Sequence, residues 1–389
     1  MKRVHRLLCI LTVFLAVAAA IPAADLSIPE LELITRGAWD GSSVGLVTRG
    51  RGEVEISGGY KFGGNLSFGF ISDDLFYSGF SAPDPEDYAT TTDYAIANSV
   101  YMGKNSYLQF HGAKIVYRDL FPSTNLTYFI GLNDRFATGE IFPRHFGSAP
   151  LTTRFQGFLY FPDNEYRGIH AVNGTGVELS STFDTDWHRS SLYFYQDALL
   201  GRGSYSSDLR SAFDLGQLKL EAFLGGSFPV ETYGVYRGGL LFHYLTGQRG
   251  EFFAQVGVPY WAPPQQFSID NIYFLFEPRV HFDPLSVILT LFWHPEYYLM
   301  DNTGDLGSAD IHLNFRLGDP TESRVTGGVE TNFTVNTTSS FAQDFEIVST
   351  PYLSAVTSGL IWNFMINVQL VPYSIPSMFE GVIGVKAEF

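Results

Sequence analysis

Apolar and polar residues alternate with a period of two along most of the chain, and this constrains the fold more than any other feature. In residues 360–370, Leu360, Trp362, Phe364, Ile366, Val368 and Leu370 fall on one face and Asn363, Asn367 and Gln369 on the other. Successive side chains of a strand point to opposite faces, so such a segment is a strand between two unlike environments. Val54, Ile56, Tyr60 and Phe62 alternate in this way with Glu53, Glu55, Ser57 and Lys61. Leu218, Leu220, Ala222 and Leu224 alternate with Lys219 and Glu221, and Ile311, Leu313, Phe315 and Leu317 with His312, Asn314 and Arg316. The same holds for Ile272, Phe274, Phe276, Val280 and Phe282 against Tyr273, Glu277, Arg279 and His281, and for Val325, Val329 and Phe333 against Arg324, Glu330 and Asn332.

Thirteen weaker segments begin near Leu66, Asp93, Tyr107, Leu126, Phe155, Val177, Leu192, Leu209, Val235, Phe252, Leu285, Phe345 and Phe379, giving nineteen candidate strands. Most run about ten residues, the length a tilted strand needs to cross a bilayer. The most apolar run beyond the N-terminus, residues 287–293, is far short of the roughly 18 residues of a membrane helix. Tight connections are expected at Gly63-Gly64, Gly103-Lys104-Asn105, Asp214-Leu215-Gly216 and Thr246-Gly247-Gln248, where Gly, Asn and Asp tolerate hairpin backbone angles. Longer ones run over 73–92, 133–152, 260–268 and 295–309. No linker or shift of composition divides the chain, so residues 25–389 read as one domain.

The N-terminus sets the compartment. Lys2, Arg3, His5 and Arg6 precede an apolar stretch over 7–20 and the small residues Ala23-Ala24, the layout of a cleaved secretory signal over 1–24. The only cysteine, Cys9, lies within it, so the exported part has neither disulfide nor thiolate ligand. A formal charge of −16 with scattered basic residues excludes nucleic-acid binding through a basic patch.

A soluble β-sandwich alternates too, but nineteen segments of similar length exceed two ordinary sheets, whereas barrels of 16 or 18 strands are common. Tyr101, Tyr107, Tyr117, Tyr260, Trp261, Trp293, Tyr297 and Tyr298 stand near strand ends, where amphipathic rings meet lipid headgroups. At the C-terminus, Ile383, Val385, Ala387 and the terminal Phe389 share one face, with Lys386 and Glu388 on the other. This resembles the last strand of bacterial outer-membrane β-barrel proteins, although Ala387 stands where a larger residue is usual. The resemblance implies that Ile383, Val385 and Phe389 form the signal read by the barrel-assembly machinery, and that the chain lies in the outer membrane in contact with its lipid. Together these features predict an all-β, closed antiparallel transmembrane barrel of about 16–18 strands, with short turns on one side and longer loops on the other.

General porins are the nearest analogy, resting on architecture. It implies a passive channel for small hydrophilic solutes. The alternatives are an occluded barrel whose loops bind a partner, and a barrel enzyme or hydrophobic-substrate transporter. A homo-oligomer is compatible with the sequence but required by no pattern in it. There is no Gly-x-Ser-x-Gly, phosphate-binding loop, dinucleotide fingerprint or His-Glu-x-x-His, so neither catalytic residues, cofactor nor metal is expected. The acidic run 301–310 and the group Asp84, Glu86 and Asp87 lack a calcium-loop ladder and read as solvated loops. The charged residues of the polar faces, Glu53, Glu55, Lys61, Lys219, Glu221, Glu277, Arg279, Arg316, Arg324 and Glu330, are the candidate pore lining. Alternatively, opposite charges pair across the barrel and fill it.

Overall fold

A computed structural model describes residues 24–39, 44–59, 61–72, 107–149, 151, 153, 168–200, 203–230, 233–247, 249–293, 295, 308–318, 323–336, 345–373 and 378–388. The expected signal segment, the strands predicted from Asp93 and Phe155, the turn at 103–105, the residues Asp84, Glu86 and Asp87, and Phe389 lie outside them. The first nine strands are β1 (Ala24–Trp39), β2 (Val44–Gly58), β3 (Phe62–Ser72), β4 (Tyr107–Phe121), β5 (Thr124–Phe136), β6 (His170–Ser181), β7 (His188–Asp197), β8 (Tyr205–Asp214) and β9 (Leu218–Val230). The second nine are β10 (Tyr233–Leu245), β11 (Gly250–Trp261), β12 (Tyr273–Phe282), β13 (Leu285–Trp293), β14 (Ser308–Leu317), β15 (Val325–Asn336), β16 (Phe345–Thr357), β17 (Leu360–Val371) and β18 (Phe379–Glu388). Among the described residues the helical elements are one short helix, α1 (Ile141–Phe146), and one 3-10 turn at Ile269–Asn271.

Each strand pairs antiparallel with its sequence neighbours, and β1 pairs with both β2 and β18, so a single 18-stranded sheet closes on itself. Closure leaves no unpaired strand edge. Seventeen of the nineteen predicted segments correspond to β2–β18. The strand that period-two reading misses is β1, because a bulge between Ser27 and Glu30 shifts its phase. Leu26, on one side of that bulge, and Leu31 and Leu33, on the other, are all exposed. The expected turn at Gly63-Gly64 is also corrected. Those residues lie inside β3, and the connection falls at 59–61, where Gly59 has a φ of +88°.

The pleat sorts the side chains as the alternation demands. Leu46, Leu224, Phe274, Ile311, Phe364 and Ile366 are exposed and point outward. Their strand neighbours Glu221, Glu277, Arg279, His312 and Asn314 are buried inside. Aromatic groups gather at both rims. Phe62 stacks on Tyr117 at 4.9 Å near the short turns, with Phe183, His188 and Phe213 stacked farther round. Phe228, Tyr236, Trp261 and Phe267 form a chain of ring contacts at the opposite end.

Candidate functional site in the barrel interior

The interior is not symmetric, and two glycines explain why. The last register pair of β4 with β5 is Gly112–Gly131, and that of β6 with β7 starts at Gly174–Asp197. Beyond Gly131 and Gly174, which pair directly, β5 and β6 continue as a two-stranded ribbon as far as Phe136–His170. This ribbon turns off the wall into the barrel. Gly131 has a φ of +86°, and a Cβ there would lie 2.4 Å from the His111 carbonyl oxygen. A Cβ at Gly174 would lie 2.0 Å from the Gln196 carbonyl oxygen. Both positions therefore need a residue without a side chain.

The infolded segment carries its own apolar core. Phe136, Ile141, Phe142, Leu151, Ile169 and Val172 pack on Phe129, Tyr193, Tyr195, Phe223, Leu241, Phe253, Tyr273, Leu275 and Phe292 of the wall. Ile169 fits because the facing wall positions Gly239 and Gly257 have no side chain; a Cβ at either would come within 3.1 Å of its Cδ1. Apolar residues are therefore buried inside this part of the barrel, whereas a simple polar-lumen pattern would place them outside.

Hydrogen bonds pin the same segment to charged wall residues. The Ala137 amide donates to Glu221 Oε1 at 2.7 Å, Gln255 Nε2 donates to the Ala137 carbonyl, and Ser148 Oγ donates to Asp214. Thr153 Oγ1 donates to Glu277 Oε2. Around these anchors the wall charges are matched pairwise. Arg210 bridges Asp134 at 2.8 Å and Glu221 at 2.9 Å, and its guanidinium lies 5.2 Å from the centre of the Phe136 ring. Arg237 holds both oxygens of Asp208 at 2.7 Å, and Tyr195 OH donates to the same carboxylate at 2.8 Å. Arg279 bridges Glu277 and Glu251, the latter also bonded by His243 Nε2 at 2.9 Å.

The sequence-predicted residues divide accordingly. Glu221, Glu277 and Arg279 are buried in these ion pairs. Lys219 pairs with Asp214 at 2.7 Å near the short-turn end. Arg316 is buried on the inward face of β14, and Glu330, on β15, accepts from Asn314 Nδ2 at 2.7 Å with His312 at 3.5 Å. Lys61 and Arg324 lie in short turns at the rim, Lys61 over the Tyr117 ring. Glu53 and Glu55 stand on the other side of the barrel, where Glu53 Oε1 accepts from Ser67 Oγ at 2.7 Å and Glu55 from Asn65 Nδ2. Ile383 and Val385, the described members of the expected assembly signal, lie on β18, whose Ile383 is exposed on the outer face. Asp310, the last residue of the acidic run, is an inward residue of β14 that accepts from Asn332 Nδ2 at 3.0 Å.

Among the described residues, that other side is open. Along β2 the inward row Arg49, Arg51, Glu53, Glu55 and Ser57 is partly accessible throughout. Arg36 and Glu380, an ion pair on β1 and β18 at 3.5 Å, are each 27% exposed, against 2% and 0% for Arg210 and Glu221. The infolded segment thus packs closely against β7–β13, whereas the arc formed by β1–β3 and β18 presents water-accessible polar groups beside the small buried cluster of Ile34, Met365 and Val382.

Arg210, Asp134, Asp208 and Arg237 are missing from the sequence-derived set. A signal for two of them is present, since Leu209 faces out between Asp208 and Arg210, but β8 is short and rich in serine. Arg144 and His145 of α1 face the interior solvent beside Arg189.

No protein-family model and no curated relative matches the sequence. Solved structures share its architecture. OccAB3 of Acinetobacter baumannii is 12% identical, with a TM-score of 0.53 over 95% of this chain and 100% of that chain. OccAB4 of the same organism is 11% identical, with a TM-score of 0.51 over 95% of this chain and 98% of that chain. At such identities the likeness is one of fold, and the chain is a closed, 18-stranded antiparallel β-barrel of the porin-like kind.

Proposed function

We propose that the protein spans an outer membrane and is a passive channel for small hydrophilic solutes, with the water path confined to the open arc. The observation that carries this reading is the accessible inward row of β2, from Arg49 to Ser57. Eight residue steps at about 3.3 Å each extend over roughly 26 Å, close to the height of a barrel's apolar band. The outward face supports insertion. Large exposed patches of Leu, Ile, Val and Phe are rare on soluble monomers, and the aromatic rims fit two headgroup levels. The packed arc narrows the route, so selectivity falls to the charges left accessible: Arg36, Arg49, Arg51, Glu53, Glu55 and Glu380. Buried Glu221, Glu277 and Arg279 act as anchors for the infolded segment. The candidate pore lining thus reduces, in this reading, to its β2 members.

Swelling of proteoliposomes tests the reading. Vesicles carrying protein with a heat-modifiable gel shift should swell in an isotonic small sugar and resist a large oligosaccharide. Failure to swell in either, with the folded band intact, would overturn it.

A further inference from the structure

His111 sits on β4 where a bulge interrupts the ladder. Ser67 pairs with Gly112 and Phe68 with Phe110, so His111 falls between them with no register partner on β3. Its ring lies over Gly69 of that strand, where a Cβ would come within 2.3 Å of Nε2. Gly69 is in turn the register partner of Glu53. By crossing a strand that has no side chain at this point, the imidazole reaches β2, with Nδ1 3.7 Å from Glu53 Oε1. Bulges commonly re-aim a side chain, and here it is aimed at a carboxylate of the open arc.

Both groups meet water: the His111 side chain is 27% exposed and that of Glu53 41%. Glu53 also accepts from Ser67 Oγ at 2.7 Å. Among the described residues, β2 adds the charge of Arg51, two positions from Glu53, and β4 that of Lys114, whose Nζ donates to the Asn133 carbonyl at 2.5 Å. The flanking strands β3 and β5 meet this stretch of β4 with the neutral Ser67, Gly69 and Gly131. Imidazole is the one side chain that ordinarily gains and loses its charge between about pH 5 and 8. The other histidines on inward strand faces are placed differently. His170, His243 and His312 are buried against carboxylates, and His281 is the last residue but one of β12, at the short-turn rim.

We infer that His111 sets the ion preference of the water path as a function of pH: protonated, it neutralises Glu53, and neutral, it leaves that carboxylate as a standing negative charge beside the path. Protonation adds one positive charge to the pair whatever the other charges of the arc are. The path therefore favours cations more above the transition and anions more below it. The inference rests on the channel reading above, because it concerns what that channel passes.

Reversal potentials in planar bilayers under a potassium chloride gradient test it. Between about pH 8 and pH 5 the anion-to-cation permeability ratio of the wild-type protein should rise about threefold, the effect of one added charge close to the path. His111→Gln should remove most of that change, and His145→Gln and His281→Gln should keep it. Glu53→Gln, which leaves the ring in place, should retain a transition but move its midpoint to lower pH, because the protonated imidazole loses its counter-ion. A wild-type ratio that is the same at both pH values, an equal change in the His111→Gln protein, or an unmoved midpoint in the Glu53→Gln protein would overturn the inference. Absence of any conductance from folded protein would overturn the channel reading instead, so the two failures are told apart.

Discussion

Arg210→Met is expected to lower the stability of the folded barrel by about 3–5 kcal/mol, the cost of removing one partner from a buried ion pair. Arg210 is 2% exposed and is the shared counter-ion of Asp134 and Glu221. Met preserves much of the apolar stem over Phe136 but leaves two carboxylates, Glu221 buried and Asp134 largely so, without their shared counter-ion. Glu221 keeps the Ala137 amide and Asp134 keeps the Tyr193 hydroxyl, which is too little to solvate two charges. Urea-dependent unfolding in lipid vesicles measures the loss. Adding Asp134→Asn and Glu221→Gln to Arg210→Met should recover most of it, since neutral amides carry a smaller desolvation penalty. A triple variant no more stable than the single one would show that packing, and not charge, holds this cluster.

Gly131→Val should have a comparable effect through the backbone. A β-branched residue at a φ of +86° carries strain of about 1–3 kcal/mol. The new Cβ would also press on the His111 carbonyl at 2.4 Å. The strain is relieved if β5 stays in line with the wall, which withdraws the ribbon and α1 from the interior. Trypsin should then cut native protein after Arg135 or Arg144, sites that the wild-type protein keeps inside the barrel, where the protease cannot enter. Protein that keeps its heat-modifiable shift and resists trypsin as the wild type does would show that the two glycines are not the hinge.

Much of the wall was legible in the sequence because its cause is local. An apolar outer face and an inner face of polar and packed groups impose period two on each strand separately, so Phe364 or Glu221 can be assigned from its neighbours alone. The strand β1 escaped because its bulge shifts the phase between Leu26 and Leu31. The interior was less legible because its causes are not local. Whether Glu221 lines water or pairs with Arg210 depends on the β8–β9 register and on a ribbon arriving from β5, eighty-four positions away from Glu221 at Ala137. Period two cannot report a bend, so residues 133–152 read as an external loop although Phe142 and Leu151 are core residues. The glycines responsible, Gly131 and Gly174, look like ordinary strand glycines until their pairing is known.

The central claim is that a water path runs beside an infolded segment that fills the rest of the barrel. Single-channel conductance in planar bilayers tests it most directly, comparing the wild-type chain with one in which residues 137–169 are replaced by a tight two-residue turn. Discrete steps from the wild-type protein and larger steps from the shortened one are expected. Equal steps from the two, or no conductance from either when both are folded, would contradict it.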